Sequence, residues 1–291
     1  MRSPRRSPRF YESSANVAVA MDRVMNWWIR GYLLFAAAQG FGIGLTGLIV
    51  PPEMQIPLRM TPLNSRFVAA LYVAGGIGVI LAAVAKRRSE ARLFVVGFGV
   101  ATVLILILTL LHWSDFMADP LPHRAVWIFV YVVDPLVALV MVPLAGLWPP
   151  ANGKRHGLTR LLMVQAVLFG LLGLVLLFKP DIASAYWPWT LPPLLGQLYA
   201  CFILTFAIGA ALGARETSPR AIRDFLLASL GLTVLVLVAS ALHFDRFKPE
   251  LVTIIWFGAF GVGAIAFAVA LLIQRRARAW QPRAQAVRVG S

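Results

Sequence analysis

The chain has 291 residues, of which 59% are hydrophobic and only 13% are charged. A water-soluble domain is nearer to half apolar with about a quarter of its residues charged, so this composition excludes an ordinary soluble globular protein. The net charge of +15 would favour a nucleic-acid-binding protein only if a basic domain stood apart from the apolar segments, and none does.

Eight apolar runs account for most of the chain. Each has close to the 20 or so residues that a helix needs to cross the roughly 30 Å hydrocarbon core of a bilayer. The runs lack the alternation of polar and apolar residues that is typical of membrane β-barrel strands. The sequence therefore predicts an all-α, polytopic membrane protein with eight transmembrane helices, at 27–50, 66–85, 91–113, 125–148, 158–178, 195–214, 221–243 and 251–273.

The 27 lysines and arginines are distributed unequally between the two sides that eight crossings define. Of these, 21 lie on the side of the two termini and 6 on the other side. Short loops rich in Lys and Arg stay in the cytoplasm, so we expect a multi-pass cell-membrane protein with both termini cytoplasmic. The basic residues are expected to attract anionic lipids, and no nucleic-acid partner is predicted.

The chain begins with a segment, residues 1–26, that we interpret as a basic cytoplasmic tail. Apolar residues recur at helical intervals from Val17 to Trp28. This spacing predicts a short amphipathic helix lying on the cytoplasmic membrane surface before the first crossing.

Small residues indicate where transmembrane helices can approach each other closely. Gly40 and Gly44 form a small-xxx-small pair in the first crossing, and Gly258 and Gly261 lie in the last. Backbones can come close together at such positions, so we expect helix packing there.

Two apolar loops face the side opposite to the termini, at residues 51–65 and 179–196. The second contains Trp187 and Trp189. Aromatic residues are enriched at membrane interfaces, so the first interpretation is that they anchor the loop at head-group depth. The alternative is a lid over a pocket that faces the lipid.

The fourth crossing contains Asp134, the only acidic residue deep within an apolar run. Inserting a carboxylate at that depth costs about 2.5–3.5 kcal/mol, so such residues usually face a cavity or a partner. Pro135 follows it and leaves the carbonyl of Tyr131, four residues earlier, without its helical donor. The acid and this carbonyl form a candidate ligand site, and a purely structural, hydrogen-bonded Asp134 is the alternative.

Two amides lie at the centre of other crossings and are further candidates. Gln39 is in the first crossing and Gln165 in the fifth. Buried amides form hydrogen bonds between helices, so both are either structural or part of a ligand site. We expect Gln39 to be the partner of Asp134.

The chain contains an internal repeat. An offset of 131 aligns residues 66–116 with 197–247 and gives 14 identities in 51 columns, including Gly78 with Gly209 and His112 with His243. Each unit has four crossings, so both enter the membrane in the same orientation, as parallel repeats. The predicted organisation is a first repeat at 27–148, a cytoplasmic linker at 149–157, a second repeat at 158–273 and a basic cytoplasmic tail at 274–291.

His112 and His243 end the third and seventh crossings at matching depth. A haem or a quinone bound near them is one hypothesis. A histidine stabilised by the C-terminal helix dipole is the alternative. The four histidines and one cysteine give no metal-binding spacing, and no catalytic motif is present, which favours a non-enzymatic protein with no metal site.

The run Ala69 to Gly78 (AALYVAGGIG), together with a proline-bearing loop after the first crossing, resembles the four-helix DoxX-like membrane proteins in duplicate. The chain departs from that pattern in lacking the acidic residue expected in the second helix. The resemblance implies a link with redox partners.

Three hypotheses follow for the function. The first is a carrier or binding module for a small lipophilic or protonatable ligand at Asp134. The second is a redox-associated subunit that binds haem or quinone, and the third is a scaffold for other membrane proteins.

Overall fold

The computed structural model describes residues 25–118, 123–146 and 156–289, with side chains described as far as residue 276. These residues form helices and short connections without any strand. Eight helices are long and apolar enough to cross a membrane, which confirms the predicted fold class. They are α1 (Trp27–Ile49), α2 (Pro62–Ala83), α3 (Arg88–Leu111), α4 (His123–Ala145), α5 (Thr159–Phe178), α6 (Pro193–Gly213), α7 (Pro219–Ala241) and α8 (Leu251–Val289).

The connections in the described residues include four short helical segments, at Pro51–Glu53, Trp113–Met117, Pro180–Ala185 and Phe244–Arg246. The predicted amphipathic helix and the linker lie largely outside the described residues. The predicted tail from residue 274 begins within α8, which continues to Val289.

Several helices begin before the apolar runs that predicted them. α2 starts at Pro62, four residues early, and α7 starts at Pro219, two residues early. Proline has no N–H to leave unpaired in the first turn, and its φ suits that position. Thr61 and Ser218 cap these helices by accepting hydrogen bonds from backbone amides, so the true starts depend on capping rather than on hydrophobicity.

The helices divide into a buried central group of four and a peripheral group of four. α2, α3, α6 and α7 contact one another at the centre, and most of α2 and α6 is buried. α1 packs on α2, α4 on α3, α5 on α6 and α8 on α7. α1, α5 and α8 expose most of their length, and their exposed faces are apolar, as expected of helices that face lipid.

The two halves use similar contacts at matching positions. A side chain at Gly78 would meet the ring of Phe94, and one at Gly209 would meet the ring of Phe225. These are the positions that the offset of 131 aligns. The duplication of the sequence itself stays a prediction.

A glycine seam joins α1 to α2. A Cβ atom at Gly44 would lie 2.6 Å from Val73 and 3.1 Å from the carbonyl oxygen of Ala69, so only glycine allows this approach. The expected packing role therefore holds for Gly44. Gly258 and Gly261 in α8 have open space around them instead.

In the loop between α5 and α6 the two central tryptophans are buried within the protein, so their predicted anchoring among the lipid head groups is wrong. Trp187 is 4% exposed and Trp189 is 1% exposed. Trp189 Nε1 and the Tyr199 hydroxyl both donate hydrogen bonds to Asn64 Oδ1, over 2.7 and 2.8 Å. The bond to Asn64 gives the indole N–H of Trp189 the partner that a buried polar group needs. Tyr186 remains exposed.

Candidate ligand cavity beside Asp134

Asp134 lies on the wall of a cavity of about 120 Å³. It is in the middle of α4, and its side chain and backbone together are only 4% exposed. α1, α2, α3 and α4 of the first half surround the cavity, and α6 and α7 of the second half close it. The cavity therefore lies in the first half, against the helices of the second.

The carboxylate has one hydrogen-bond partner. The Tyr32 hydroxyl, on α1, donates to Asp134 Oδ1 over 2.5 Å. Among the described residues no donor reaches Oδ2. Half of the carboxylate is thus held by the protein, and the other half is available to a ligand.

Gln39 lines the same cavity but does not hold Asp134, so the partner we expected is wrong. Gln39 and Tyr32 are both on α1, and Gln39 is half-buried. The amide remains a polar group of the wall, placed to hydrogen-bond an occupant.

Tyr131 contributes in a second way beyond its carbonyl. Its side-chain hydroxyl forms a buried hydrogen bond with the Tyr72 hydroxyl of α2, and its ring packs on Trp127 at a centroid distance of 4.4 Å. Pro135 lies inside α4, so it cannot donate to the Tyr131 carbonyl. Tyr131 therefore brings a hydroxyl and a carbonyl to the same region of α4.

The remaining walls are apolar and rich in aromatic rings. α2, α3, α4, α6 and α7 each supply at least one ring, among them Phe98, Phe202 and Phe206. The lining residues include no lysine, arginine or histidine. Of the residues that the structure describes, Asp134 is the only carboxylate in the cavity wall, and none of them gives it a counter-ion there.

Gly75 lies on the cavity wall and borders open space. A Cβ atom at Gly75 would have nothing within 4 Å. The offset of 131 places Phe206 at the matching position in the second half, and the stretch from Phe260 to Gly263 that corresponds to Asp134 contains no acid. The second half therefore has neither the glycine nor the acid at the corresponding positions.

Gln165 lies elsewhere. It is buried on α5 and donates to Ser229 Oγ on α7 over 3.1 Å, while its Oε1 has no partner. It does not line the cavity. The structure therefore does not bring Gln165 together with Asp134.

The two histidines have different surroundings. His112 Nδ1 is 3.7 Å from a carboxylate oxygen of Asp115. His243 Nε2 instead contacts the guanidinium of Arg66, which also donates through Nε to the Leu48 carbonyl over 3.0 Å. Burial, and then the charge of Arg66, lower the pKa of His243 below its usual value. His243 is therefore the neutral acceptor of a bond between the two halves.

Sequence reasoning missed Tyr32, Tyr72 and Gly75. The available signal was the phenolic hydroxyl of two tyrosines within apolar runs, since such a group seeks a partner when buried. Gly75 stands next to Gly76, and the sequence does not show whether a glycine there packs against a helix or borders a cavity.

Comparison of the chain with protein-family models, with curated proteins and with solved structures gives no match. The fold and the apolar helices define a multi-pass helical membrane protein. The resemblance to DoxX-like proteins stays a prediction.

Proposed function

We propose that the protein is a membrane carrier or binding module that holds a small lipophilic or protonatable ligand in the cavity beside Asp134. The single observation that carries this proposal is a buried carboxylate with a hydrogen bond to only one of its two oxygens, on the wall of a mostly apolar cavity. A purely structural acid would be expected to use both oxygens within the protein, because unsatisfied buried groups are costly.

The size of the cavity supports occupancy by a small group. An engineered apolar cavity of about 150 Å³ in another protein binds benzene. The cavity of about 120 Å³ therefore suits a compact group of a few carbon or nitrogen atoms. Its polar side chains, those of Gln39, Tyr72, Thr102, Tyr131, Asp134 and Thr205, are few against an apolar and aromatic majority, as in most small-molecule sites.

Helix packing supports access to the cavity. α1 packs on α2 and α4 packs on α3, and the Tyr32–Asp134 bond links these two peripheral helices beside the cavity. A link through one hydrogen bond is weaker than a packed helix interface. It can open for a ligand without disturbing the central four helices.

We infer the orientation from the distribution of basic residues. The side with 21 of the 27 lysines and arginines is the cytoplasmic side, and it carries both termini. The protein is accordingly proposed to reside in the cell membrane with its basic ends near anionic lipids.

The first test fills the cavity and leaves its polar side chains, including Asp134, unchanged. Gly75→Leu places a side chain in the gap, and Gly42→Leu is the matched control, because a Cβ atom there also meets nothing within 4 Å but Gly42 does not line the cavity. Native mass spectrometry of the purified protein should detect a small molecule bound to the wild type and to Gly42→Leu, and no such molecule on Gly75→Leu.

Asp134→Asn adds the chemical arm of the test. We expect it to insert and to run as the wild type on size-exclusion chromatography, with weakened retention of the same molecule. Absence of a bound molecule from the wild type, or equal retention by Gly75→Leu, would remove the proposal.

A further inference from the structure

We propose that the ligand is an amphiphilic monocation, an ammonium group with an alkyl or aryl tail, whose nitrogen lies between Asp134 and the aromatic walls and whose tail extends into the bilayer. This inference rests on the proposed function and specifies the class of ligand.

Charge is the first observation. The wall offers one carboxylate, and Oδ2 of Asp134 has no donor among the described residues. The described lining residues include no basic side chain, so none of them would neutralise an anionic ligand. A cation supplies the opposite charge that the wall itself does not offer, and an ammonium that carries an N–H can in addition donate a charge-assisted hydrogen bond to Oδ2.

Aromatic rings are the second observation. The faces of tyrosine and phenylalanine rings attract ammonium groups, most strongly where water is excluded. Tyr72 and Phe202 lie together with a centroid distance of 4.9 Å, and both line the cavity. A neutral lipophile would gain from the rings but would leave the carboxylate uncompensated.

The opening of the cavity is the third observation. Several lining residues are only half-buried, including Gln39 and Ile43 on α1 and Ala101 on α3. Gln39 and Ala101 lie near the middle of their helices, each about ten residues from the nearer end. The cavity therefore reaches the surface between α1 and α3 near the middle of the membrane, where the surrounding solvent is hydrocarbon.

Size then sets the form of the ligand. A cavity of about 120 Å³ holds a group near the size of benzene, so a trimethylammonium or a small aromatic amine fills it. Any longer portion has to leave through the lateral opening. A ligand with a cationic head and an apolar tail matches the inside and the outside of this opening.

Three probes with the same chain length separate the classes: octyltrimethylammonium, octanol and octanoate. Equilibrium dialysis against the protein in lipid nanodiscs should give an affinity for octyltrimethylammonium about tenfold higher than for the other two. Asp134→Asn should lower the affinity for the ammonium probe by about tenfold and leave that for octanol unchanged.

The variant Tyr32→Phe tests whether loss of the hydrogen bond between α1 and α4, rather than loss of charge, explains weaker binding. It removes the donor to Asp134 but keeps the carboxylate, so the ammonium probe should bind at least as tightly as to the wild type. Loss of ammonium binding in both variants would show that disruption of the α1–α4 link, rather than loss of charge, is responsible, and would overturn the inference.

The remaining outcomes distinguish the two proposals. If octanol binds as tightly as the ammonium probe, and Gly75→Leu abolishes both, the cavity binds ligands but the cationic class is wrong. If Gly75→Leu binds every probe as the wild type does, the proposed function fails as well.

Discussion

Breaking the buried ion pair between Arg92 and Glu216 should destabilise the protein far more than breaking an exposed pair of the same length. Arg92 Nη1 lies 3.0 Å from Glu216 Oε2, with the two side chains 8% and 1% exposed. Arg92 Nε also donates to the Ala145 carbonyl at the end of α4. The pair thus joins the start of α3, the end of α4 and the turn between α6 and α7.

Glu216→Ala removes the carboxylate and leaves the buried guanidinium of Arg92 without its counter-ion. An uncompensated buried charge costs about 3–5 kcal/mol, so we expect the free energy of unfolding to fall by that amount. Glu216 Oε1 also accepts from the backbone amides of Thr217 and Ser218. Glu216→Gln keeps an acceptor for those amides and separates their contribution from that of the charge.

The matched control is the pair formed by Asp245 and Arg246. Its N–O distance is also 3.0 Å, but the side chains are 68% and 73% exposed. Solvent screens such a pair, so Asp245→Ala should change stability by about 0–1 kcal/mol.

The assay is unfolding by SDS titration in mixed micelles, followed by far-ultraviolet circular dichroism. The double variant Arg92→Met with Glu216→Leu should recover most of the loss, because apolar replacements of similar volume remove the stranded charge. Equal losses for Glu216→Ala and Asp245→Ala would refute the role given to burial.

Three further outcomes are expected. The pKa of His243 is lower in the folded protein than in the unfolded chain, so the unfolded chain is protonated first as the pH falls below about 6.5, and the free energy of unfolding should decline from there to the folded-state pKa and then level off. Unfolding titrations of His243→Gln should show a shallower decline with pH. An unchanged decline would contradict a lowered pKa for His243. Asn64→Leu leaves two buried donors unpaired and should cost about 2–5 kcal/mol in the same unfolding assay, and a loss under about 1 kcal/mol would contradict it. Gly44→Leu should separate α1 from α2 and lower the thermal aggregation temperature, whereas Gly42→Leu should leave it unchanged; equal temperatures would contradict the seam.

Asp134 illustrates how far a sequence can predict a site. A lone carboxylate within an apolar run is expensive in hydrocarbon wherever the helices lie, so its need for a cavity or partner follows from residue type and depth alone. The identity of its hydrogen-bond partner, Tyr32, could not be predicted in this way. Tyr32 and Gln39 are seven residues apart on α1, about two turns, so they share one face and differ in depth by roughly 10 Å. Helix tilt and packing decide which of the two meets Asp134.

The glycine positions show the same division. Gly40 and Gly44 were expected to lie at an interface, and both face α2, Gly44 more closely than Gly40. Gly75 and Gly258 have similar local surroundings in the sequence, yet one borders a cavity and the other lies on the exposed face of α8. Spacing along a helix predicts a face, but a neighbouring helix has to be present before that face becomes a seam or a gap.

Hydropathy alone was enough to predict eight crossings, because the cost of placing a peptide segment in hydrocarbon is nearly a sum over its own residues. The burial of Trp187 and Trp189, the Tyr32–Asp134 bond and the gap at Gly75 required the folded structure. Each depends on contacts between segments far apart in the chain, and such contacts are set by how the helices rotate, tilt and pair, not by the residues nearby.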